Sequence, residues 1–303
     1  MITVFGSINM DLIATTERLP KPGETVAGNS FATAPGGKGA NQALAAQRAG
    51  TAVRMAGAVG NDEFAVPATA LMKEAGVDLS ALKQTDGPTG TAMILVDGQG
   101  ENVIVINAAA NGEVSEDDAR QAVGNMNKGD FLVLQLEIPA PAIKAALVAA
   151  DEKGVTSVLN TAPLTHEAAE LGRMADIVIA NETEFERLVG ADELGSEGRI
   201  AMLKTYHDET GQTVVITLGG EGAVAMHEGT FYRIDSLKID PVDTVGAGDT
   251  FCGYFAAGLD QGLDFEKAAH RAAAAGALAC LKAGAQPSIP LSEEVAARLS
   301  PEP

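Results

Sequence analysis

The alternation of short β-rich runs with alanine-rich helical stretches is the feature that most constrains the fold of this chain. The runs fall at residues 2–8, 52–60, 131–137, 156–160, 176–181 and 213–220, and the helical stretches near 39–49, 63–76, 140–153, 196–209 and 264–282. This alternation predicts an α/β fold, a mainly parallel sheet with right-handed crossovers and helices on both faces. Ligands of such sheets bind outside the carboxyl ends of the strands.

Two segments interrupt the alternation. Residues 12–34 include the turn signal LPKPGET, and residues 90–107 place the turn sequence DGQGEN between two β-rich runs. Together they predict a small antiparallel sheet that lies over the main one as a lid. A chain of 303 residues, 46% of them hydrophobic, can bury one large core, so we expect a single domain over residues 1–303. Only residues 301–303, PEP, are expected to be disordered.

Charge and cysteine content narrow the partners and the compartment. The chain has 21 Lys and Arg against 41 Asp and Glu, a formal net charge of −20, which disfavours nucleic acid and anionic membranes as partners. No apolar run reaches the roughly 18 residues of a membrane span, and MITVFGSINM lacks the features of a signal peptide. Cys252 and Cys280 lie in apolar stretches without CxxC spacing, so we expect two reduced thiols in a cytoplasmic protein.

Several glycines precede a predicted helix in the stretch APGGKGANQALAAQRAG. It is not a phosphate-binding P-loop, because Gly39 follows Lys38 where that motif requires a hydroxyl, and no G-x-G-x-x-G follows the first β-rich run. In one interpretation Gly36, Gly37 and Gly39 only form a tight turn into the helix. In the other, the bare backbone lets a polyol approach while Lys38 and Asn41 hydrogen-bond its hydroxyls.

The stretch NETE opens another predicted helix behind a β-rich run. Asn181 and Glu184 have the spacing of a capping box, which needs no ligand. At the carboxyl end of a strand, Glu184 can also hold waters around a nucleotide-bound Mg²⁺ while Asn181 faces the phosphates. The two interpretations are compatible.

The stretch DTVGAGDTF brings a carboxylate to a helix start behind a loop of small residues. Asp249 is either an N-cap or first-turn acid, or a catalytic group. The second interpretation rests on Gly246, Ala247 and Gly248, whose backbone N–H groups can bind a phosphate. Phosphoryl transfer uses this pairing, because N–H donors hold developing charge while a carboxylate orients and deprotonates the attacking hydroxyl.

The order and spacing of GSINMD, GGKGANQA, LQLE, NETE, TLGGEG, DTVGAGDTF and GAQPS resemble those of the ribokinase-like (PfkB) sugar kinases. The resemblance covers nearly the whole chain. It implies an αβα three-layer core with a small β-sheet lid, and ATP-dependent phosphorylation of the primary hydroxyl of a pentose, with D-ribose giving ribose 5-phosphate as the favoured reaction. ATP, Mg²⁺ and a monovalent cation, K⁺, are the expected cofactors, and we expect a homodimer formed through the lid.

The resemblance also implies roles for individual residues, with Asp249 as the catalytic base. The sugar side comprises Asn9, Asp11, Gly37, Lys38, Gly39, Ala40, Asn41 and Glu137. The nucleotide side comprises Asn181, Glu184, Thr217, Leu218, Gly219, Gly220, Glu221 and Gly222, the anion hole Gly246, Ala247 and Gly248, and Ala273. The cation positions are Asp243, Val245, Ala279, Lys282 (through its carbonyl), Gly284 and Ser288. Relatives often place Asn or His where Ala273 stands, so we expect apolar contact with the base, and preference for ATP over GTP stays open.

Three functions remain open at this point. The first is a pentose kinase, the second a kinase of the same fold for another alcohol (deoxyribose, a ketohexose, a sugar acid or a nucleoside), and the third a silent sugar-binding protein. Asp249 and its glycine loop argue against the third. Binding of a nucleoside would require an aromatic side chain of the lid that stacks on the base. The lid segments contain only Phe31, so a sugar is favoured.

Overall fold

The centre of the fold is a mainly parallel sheet. The computed structural model describes residues 1–299. The predicted disorder of residues 301–303 therefore lies outside the described residues. The strands are β1 (Ile2–Phe5), β2 (Asn9–Thr16), β3 (Gly28–Gly36), β4 (Val53–Val59), β5 (Asp78–Gln84), β6 (Gly90–Val96), β7 (Asn102–Asn107), β8 (Phe131–Leu134), β9 (Thr156–Asn160), β10 (Ile177–Asn181), β11 (Thr213–Thr217), β12 (Ala223–His227) and β13 (Thr230–Ile234). Over the described residues the main sheet has the order β13-β12-β11-β10-β9-β8-β1-β4-β5. Its neighbours pair in parallel except β11 with β12 and β12 with β13.

Helices cover both faces of this sheet. They are α1 (Lys38–Arg48), α2 (Ala65–Glu74), α3 (Glu116–Gly124), α4 (Ala140–Lys153), α5 (Ala168–Gly172), α6 (Glu182–Leu188), α7 (Ser196–Thr210), α8 (Ala247–Asp260), α9 (Phe265–Ala279), α10 (Ala285–Ser288) and α11 (Ser292–Leu299), with 3₁₀ turns at Ala109–Glu113 and Gly219–Glu221. One apolar core joins the sheet to α1, α8 and α9, and a second joins its other face to α3, α4 and α7. The predicted αβα three-layer architecture is confirmed.

The small sheet is mixed and not antiparallel as predicted: its order is β3-β2-β6-β7, with the central pair β2 and β6 parallel and the outer pairs antiparallel. It begins at Asn9 rather than near residue 12, because β1 ends at Phe5, where helix α1 packs against the chain and the N–H of Ala40 donates to O of Ser7 at 2.9 Å. Asn9 and Asp11 therefore lie on the first lid strand and not at the end of β1.

Two further expectations concern the apolar stretches. Cys252 and Cys280 are free and buried, as predicted. Among the helices of residues 1–299, none is both long and apolar enough to cross a membrane.

Candidate active site

Asp249 lies in the first turn of α8 with only 7% of its surface exposed. Its side chain does not cap the helix, since Gly246 is the N-cap, so the N-cap interpretation is wrong and the first-turn position is confirmed. The carboxylate instead accepts hydrogen bonds from consecutive side chains of α1. Nε2 of Gln42 donates to Oδ1 at 2.9 Å, and Nδ2 of Asn41 donates to Oδ2 at 2.9 Å. Asp249 is thus a buried carboxylate with both oxygens oriented.

The loop before Asp249 leaves backbone N–H groups free. Gly246 has a φ of 79°, which residues with a Cβ rarely adopt, and a Cβ there would lie 2.9 Å from Cβ of Ala285. The predicted N–H of Ala247 is not free, because it donates to O of Thr244 at 3.3 Å. The N–H of Thr250 donates to O of Gly246, and the N–H groups of Gly248 and Asp249 between them have no backbone acceptor within the described residues. A Cβ on Gly248 would meet no atom within 4 Å, so this turn faces open space and fits an anion.

A cavity of about 140 Å³ lies in front of Asp249. Its wall consists of Lys38, Asn160, Ala162, Ile179, Asn181, Glu184, Thr217, Gly246, Gly248, Asp249 and Cys252. Nζ of Lys38 has no hydrogen-bond partner among residues 1–299. The negative charge of Asp249, followed by those of Glu137 and Glu184, raises the pKa of Lys38 although burial opposes this. A free ammonium and free N–H groups around one small cavity fit a phosphoryl group.

Asp11 is half-buried on β2, and neither of its carboxyl oxygens has a hydrogen-bond partner among the described residues. Burial, followed by the charges of Glu137 and Asp249, raises the pKa of Asp11 to about 7. Gly36 on the neighbouring strand β3 makes room for this group, because a Cβ there would collide with its oxygens. Buried polar groups in proteins normally have partners, so an unpartnered carboxyl group at the base of the lid fits the hydroxyls of a ligand.

Two more predicted sugar residues have unpartnered oxygens near this point. Oε2 of Glu137 accepts from Oγ of Ser7 at 2.5 Å and from the N–H of Lys38 at 3.0 Å, while no hydrogen bond reaches Oε1 from the described residues. Oδ1 of Asn41 is buried and likewise has no partner in residues 1–299. Because Nδ2 of Asn41 is already bonded to Asp249, its Oδ1 is the atom that remains for a sugar hydroxyl.

Asn9 is held by a residue that is not among those predicted from the sequence. Nδ2 of Asn111 donates to Oδ1 of Asn9 at 2.8 Å and to O of Ile8 at 3.0 Å, and Oδ1 of Asn111 accepts from the N–H of Ile8 at 2.9 Å. Asn9 is 3% exposed and Asn111 1% exposed. The side-chain amide of Asn9 is thereby oriented with its Nδ2 left to donate.

The predicted capping box at α6 is confirmed. The N–H of Glu184 donates to Oδ1 of Asn181 at 2.8 Å, and the N–H of Asn181 donates to Oε2 of Glu184 at 2.9 Å. Burial raises the pKa of Glu184, although the N–H of Asn181 and the charge of Lys38 oppose this. No group of three or more His, Cys, Asp or Glu in residues 1–299 can hold a metal alone. A single carboxylate lining the cavity fits a Mg²⁺ that is bound mainly by phosphates and water.

A second cavity, of about 770 Å³, shares Asn181, Thr217 and Gly248 with the first and has a size suited to a nucleotide. Of the predicted nucleotide residues its wall includes Asn181, Thr217, Gly219, Gly220, Gly222, Ala247, Gly248 and Ala273. Glu184 and Gly246 line only the smaller cavity, and Leu218 and Glu221 line neither. Wall residues not predicted from the sequence are Glu182, Thr183, Ser236, Leu237, Lys238, Ile239, Pro241, Thr244, Phe251, Gly276, Ala277 and Cys280. Leu237, Ile239 and Ala277 join Ala273 in an apolar surface that fits a nucleobase.

The predicted cation residues lie on two segments that Asp243 joins. Its Oδ1 accepts from the N–H of Val245 at 3.0 Å, and its Oδ2 accepts from the N–H of Gly284 at 2.8 Å. Its own N–H donates to O of Cys280 at 3.2 Å, and Oγ of Ser288 donates to O of Ala285 at 2.8 Å. Each carboxylate oxygen keeps a free lone pair, which fits a cation between the segments.

Comparisons with known proteins show the family of this chain. Residues 1–291 match the pfkB family carbohydrate kinases. The ribokinase of Haemophilus influenzae is 36% identical over 294 residues, 97% of this chain and 96% of that protein, and the deoxyribokinase of Salmonella typhi is 32% identical over 97% and 96%. The structure of Arabidopsis thaliana ribokinase complexed with ribose and ATP has a TM-score of 0.89 at 32% identity, covering 98% of this chain and 97% of that one. The resemblance of the motifs is confirmed, and this chain belongs to the pfkB family of carbohydrate kinases.

Proposed function

We propose that this protein transfers the γ-phosphoryl group of ATP to the primary hydroxyl of D-ribose, giving ribose 5-phosphate and ADP. The observation that carries the proposal is one cavity lined by the buried carboxylate of Asp249, the free N–H groups of Gly248 and Asp249, and the free ammonium of Lys38. This set of groups suits phosphoryl transfer to an alcohol. The Arabidopsis ribokinase, a relative of the same fold, forms a complex with ribose and ATP, which favours these two substrates.

The proposed mechanism assigns one step to each group. Asp249 accepts the proton of the 5-hydroxyl of ribose while the oxygen of that hydroxyl attacks the γ-phosphorus, and ADP leaves on the opposite side. The N–H groups of Gly248 and Asp249 and the ammonium of Lys38 stabilise the charge on the transferred phosphoryl group. Glu184 would hold waters around an ATP-bound Mg²⁺, which would neutralise phosphate charge, and Asn181 would face the phosphates.

The substrates are assigned to opposite sides of Asp249. The sugar hydroxyls bind the unpartnered polar atoms of Asn9, Asp11, Asn41 and Glu137 under the lid, beside the backbone of residues 37–40. The nucleotide occupies the larger cavity, with its base on the apolar surface around Ala273. A closed lid would exclude water, which favours transfer to the sugar over hydrolysis.

Initial rates of ADP release over a substrate panel test the proposal. The panel contains D-ribose, 2-deoxy-D-ribose, a ketohexose, a sugar acid and a nucleoside, each with ATP and with GTP. D-ribose with ATP is expected to give the highest kcat/KM. The deoxyribokinase relative makes 2-deoxy-D-ribose the second candidate. If another acceptor gives a higher kcat/KM, that acceptor replaces ribose as the proposed substrate. Release of ADP without any acceptor would refute the proposal.

Ribose binding is expected to depend on the ionisation of Asp11. Its pKa of about 7 means that the free enzyme carries a neutral Asp11 in acid, whereas sugar hydroxyls bind better to the carboxylate. We expect kcat/KM for ribose to rise as pH rises through about 7. At pH 8, Asp11→Asn is expected to lower it by roughly 10–100-fold, the value of a hydrogen bond to a charged group.

The control for this prediction is kcat/KM for ATP measured at saturating ribose, where the sugar already covers Asp11. That value should change much less in Asp11→Asn. The rise through pH 7 should also disappear in the variant. Equal losses for both substrates would make Asp11 a structural residue, and an unchanged pH profile would exclude it as the titrating group.

A monovalent cation at the Asp243 junction is expected to raise kcat. We propose that K⁺ binds Asp243 and backbone carbonyls of residues 279–288 and fixes the 243–249 loop, so that its N–H groups point at the phosphoryl group. Replacing K⁺ by a bulky organic cation at constant ionic strength should lower kcat several-fold. Asp243→Ala should remove this response, whereas Asp240→Ala, which removes an exposed carboxylate three residues earlier, should keep it. A flat kcat in a K⁺ titration of dialysed enzyme would refute activation.

The lid offers a surface for self-association. Its outer strand β7 is exposed along its whole length, and the exposed apolar side chains of the lid are Phe31, Met93, Val103, Ile104, Val105 and Ile106. We propose that two copies pair through this sheet, since unpaired apolar strands favour such contacts. The molar mass from sedimentation equilibrium decides between a dimer and a monomer.

ATP as substrate and the free thiols of Cys252 and Cys280 favour a cytoplasmic location.

A further inference from the structure

Two buried glutamines that line neither cavity are connected to Asp249 by hydrogen bonds. Gln42 on α1 and Gln135, which follows β8, are both 0% exposed. Nε2 of Gln135 donates to Oε1 of Gln42 at 2.7 Å. Nε2 of Gln42 donates to Oδ1 of Asp249 at 2.9 Å and to Oδ1 of Asn160 at 3.2 Å. A chain of amides therefore runs from β8 through α1 to the carboxylate.

The direction of these hydrogen bonds follows from the chemistry of the end group. An ionised carboxylate only accepts hydrogen bonds, so Gln42 must present its NH₂ group to Asp249. A half-turn of the amide would bring Oε1 of Gln42 against the oxygens of Asp249 and Asn160. The NH₂ group of Gln135 opposes that half-turn, because it needs Oε1 of Gln42 where it now lies.

Gln135 is kept in place at a cost to stability. Its Oε1 is buried and has no hydrogen-bond partner among the described residues, which destabilises a folded chain. Gly6 makes room for it, because a Cβ on Gly6 would collide with this same oxygen. Within residues 1–299 the only polar contact of the Gln135 side chain is with Gln42, so its role is expected to act through Gln42.

We propose that Gln135 and Gln42 form a positioning relay that holds the carboxylate of Asp249 in the orientation for proton transfer. The proposal rests on the role of Asp249 proposed above. Neither glutamine lines a cavity: Gln42 fixes one carboxylate oxygen of Asp249, and Gln135 fixes the rotation of the Gln42 amide. A base displaced by a fraction of an ångström transfers the proton less well, so the relay acts on kcat and leaves both substrate sites unchanged.

Gln135→Met is the main test, because it removes a side chain that does not reach Asp249. The melting temperature should fall only modestly, because the variant removes the unpartnered Oε1 of Gln135 but loses one hydrogen bond and leaves Oε1 of Gln42 without a donor. We expect kcat to fall roughly 3–10-fold, the effect of losing one hydrogen bond, with KM for ribose and ATP unchanged. Gln42→Met should lower kcat on the order of 10–10²-fold. The double variant should equal Gln42→Met alone, because Gln135 acts only through Gln42.

Gln212→Met is the matched control. Gln212 is also a buried glutamine with an unpartnered Oε1, and its Nε2 bonds to the carbonyls of Gly172 and Ala175, away from both cavities. Its replacement should leave kcat unchanged. Additive losses in the double variant, an unchanged kcat in Gln135→Met, or equal rises in both KM values would overturn the relay.

Gln42→Glu keeps the side-chain volume and adds the pH dependence of kcat as a readout. This test can be used even if the Met variants fail to fold. The new carboxyl can donate to Asp249 only while it is protonated, so kcat relative to wild type should fall as pH rises, and a ratio independent of pH would overturn the relay. If Asp249→Asn retains kcat, the proposed base itself fails. If Asp249→Asn loses kcat while Gln135→Met keeps it, only the relay fails.

Discussion

Asp249→Asn is expected to lower kcat by roughly 10²–10⁴-fold, the usual contribution of general base catalysis. The amide cannot take the proton of the sugar hydroxyl. It also places an NH₂ group where Asn41 and Gln42 now donate, so that at least one donor loses its acceptor. Steady-state kcat for ribose at saturating ATP measures the effect, with calorimetric titration of ATP to show that the nucleotide site is intact.

Asp208→Asn is the matched control for this loss of charge. Asp208 is exposed on α7 and lines neither cavity, so its replacement should leave kcat unchanged. The melting temperature of Asp249→Asn should remain well above the assay temperature. A folded Asp249→Asn protein that keeps most of its kcat would show that Asp249 is not the base.

Helices and strands with a clear hydrophobic or turn pattern could be predicted from the sequence, and those with a mixed pattern could not. The alternation of buried strands with alanine-rich helices indicated the parallel sheet, and DGQGEN indicated the hairpin of β6 and β7. β5 was missed because DLSALKQ is a half-buried edge strand without clear alternation. The hairpin of β12 and β13 was missed because its two-residue turn, Glu228 and Gly229, uses a positive φ at a glutamate where Asn or Asp is usual.

The residues of the candidate site could also be predicted only in part, depending on how close together they lie in the sequence. Asp249 and its glycine loop are contiguous in sequence, so their chemistry could be inferred from spacing alone. The amides that orient the carboxylate are 208 and 207 residues away along the chain, at Asn41 and Gln42, and a single sequence does not show such pairing. Asn111 was missed for the same reason, since its partner Asn9 is 102 residues away.

The apolar wall of the nucleotide cavity shows a different limit. Residues 236–241 belong to no helix or strand, and their contact with α9 depends on how the two segments meet in the fold. Ala277 could have been found from Ala273, because residues four apart share one face of a helix. Leu237 and Ile239 carried no such signal.

The glycine loop itself is the second feature whose loss should have a large effect. Gly246→Ala is expected to lower kcat by roughly 10²-fold or more, because displacing one donor of an anion hole costs about 10²–10³-fold. Two effects move the loop: a φ of 79° is strained for alanine, and its Cβ would lie 2.9 Å from Cβ of Ala285. The displaced N–H groups would then point away from the phosphoryl group, so kcat should fall more than KM for ribose rises.

Gly262→Ala separates the loss of the anion hole from the loss of stability. Gly262 follows the other end of the same helix with a φ of 78°, and a Cβ there would meet no atom within 4 Å. Both variants should lose roughly 1–2 kcal/mol of unfolding free energy to the left-handed backbone, measured by urea denaturation, but only Gly246→Ala should lose kcat. If both variants lose kcat in proportion to stability, the N–H groups before Asp249 do not hold the transferring phosphoryl group, because strain at either end of the helix would then be enough to explain the effect.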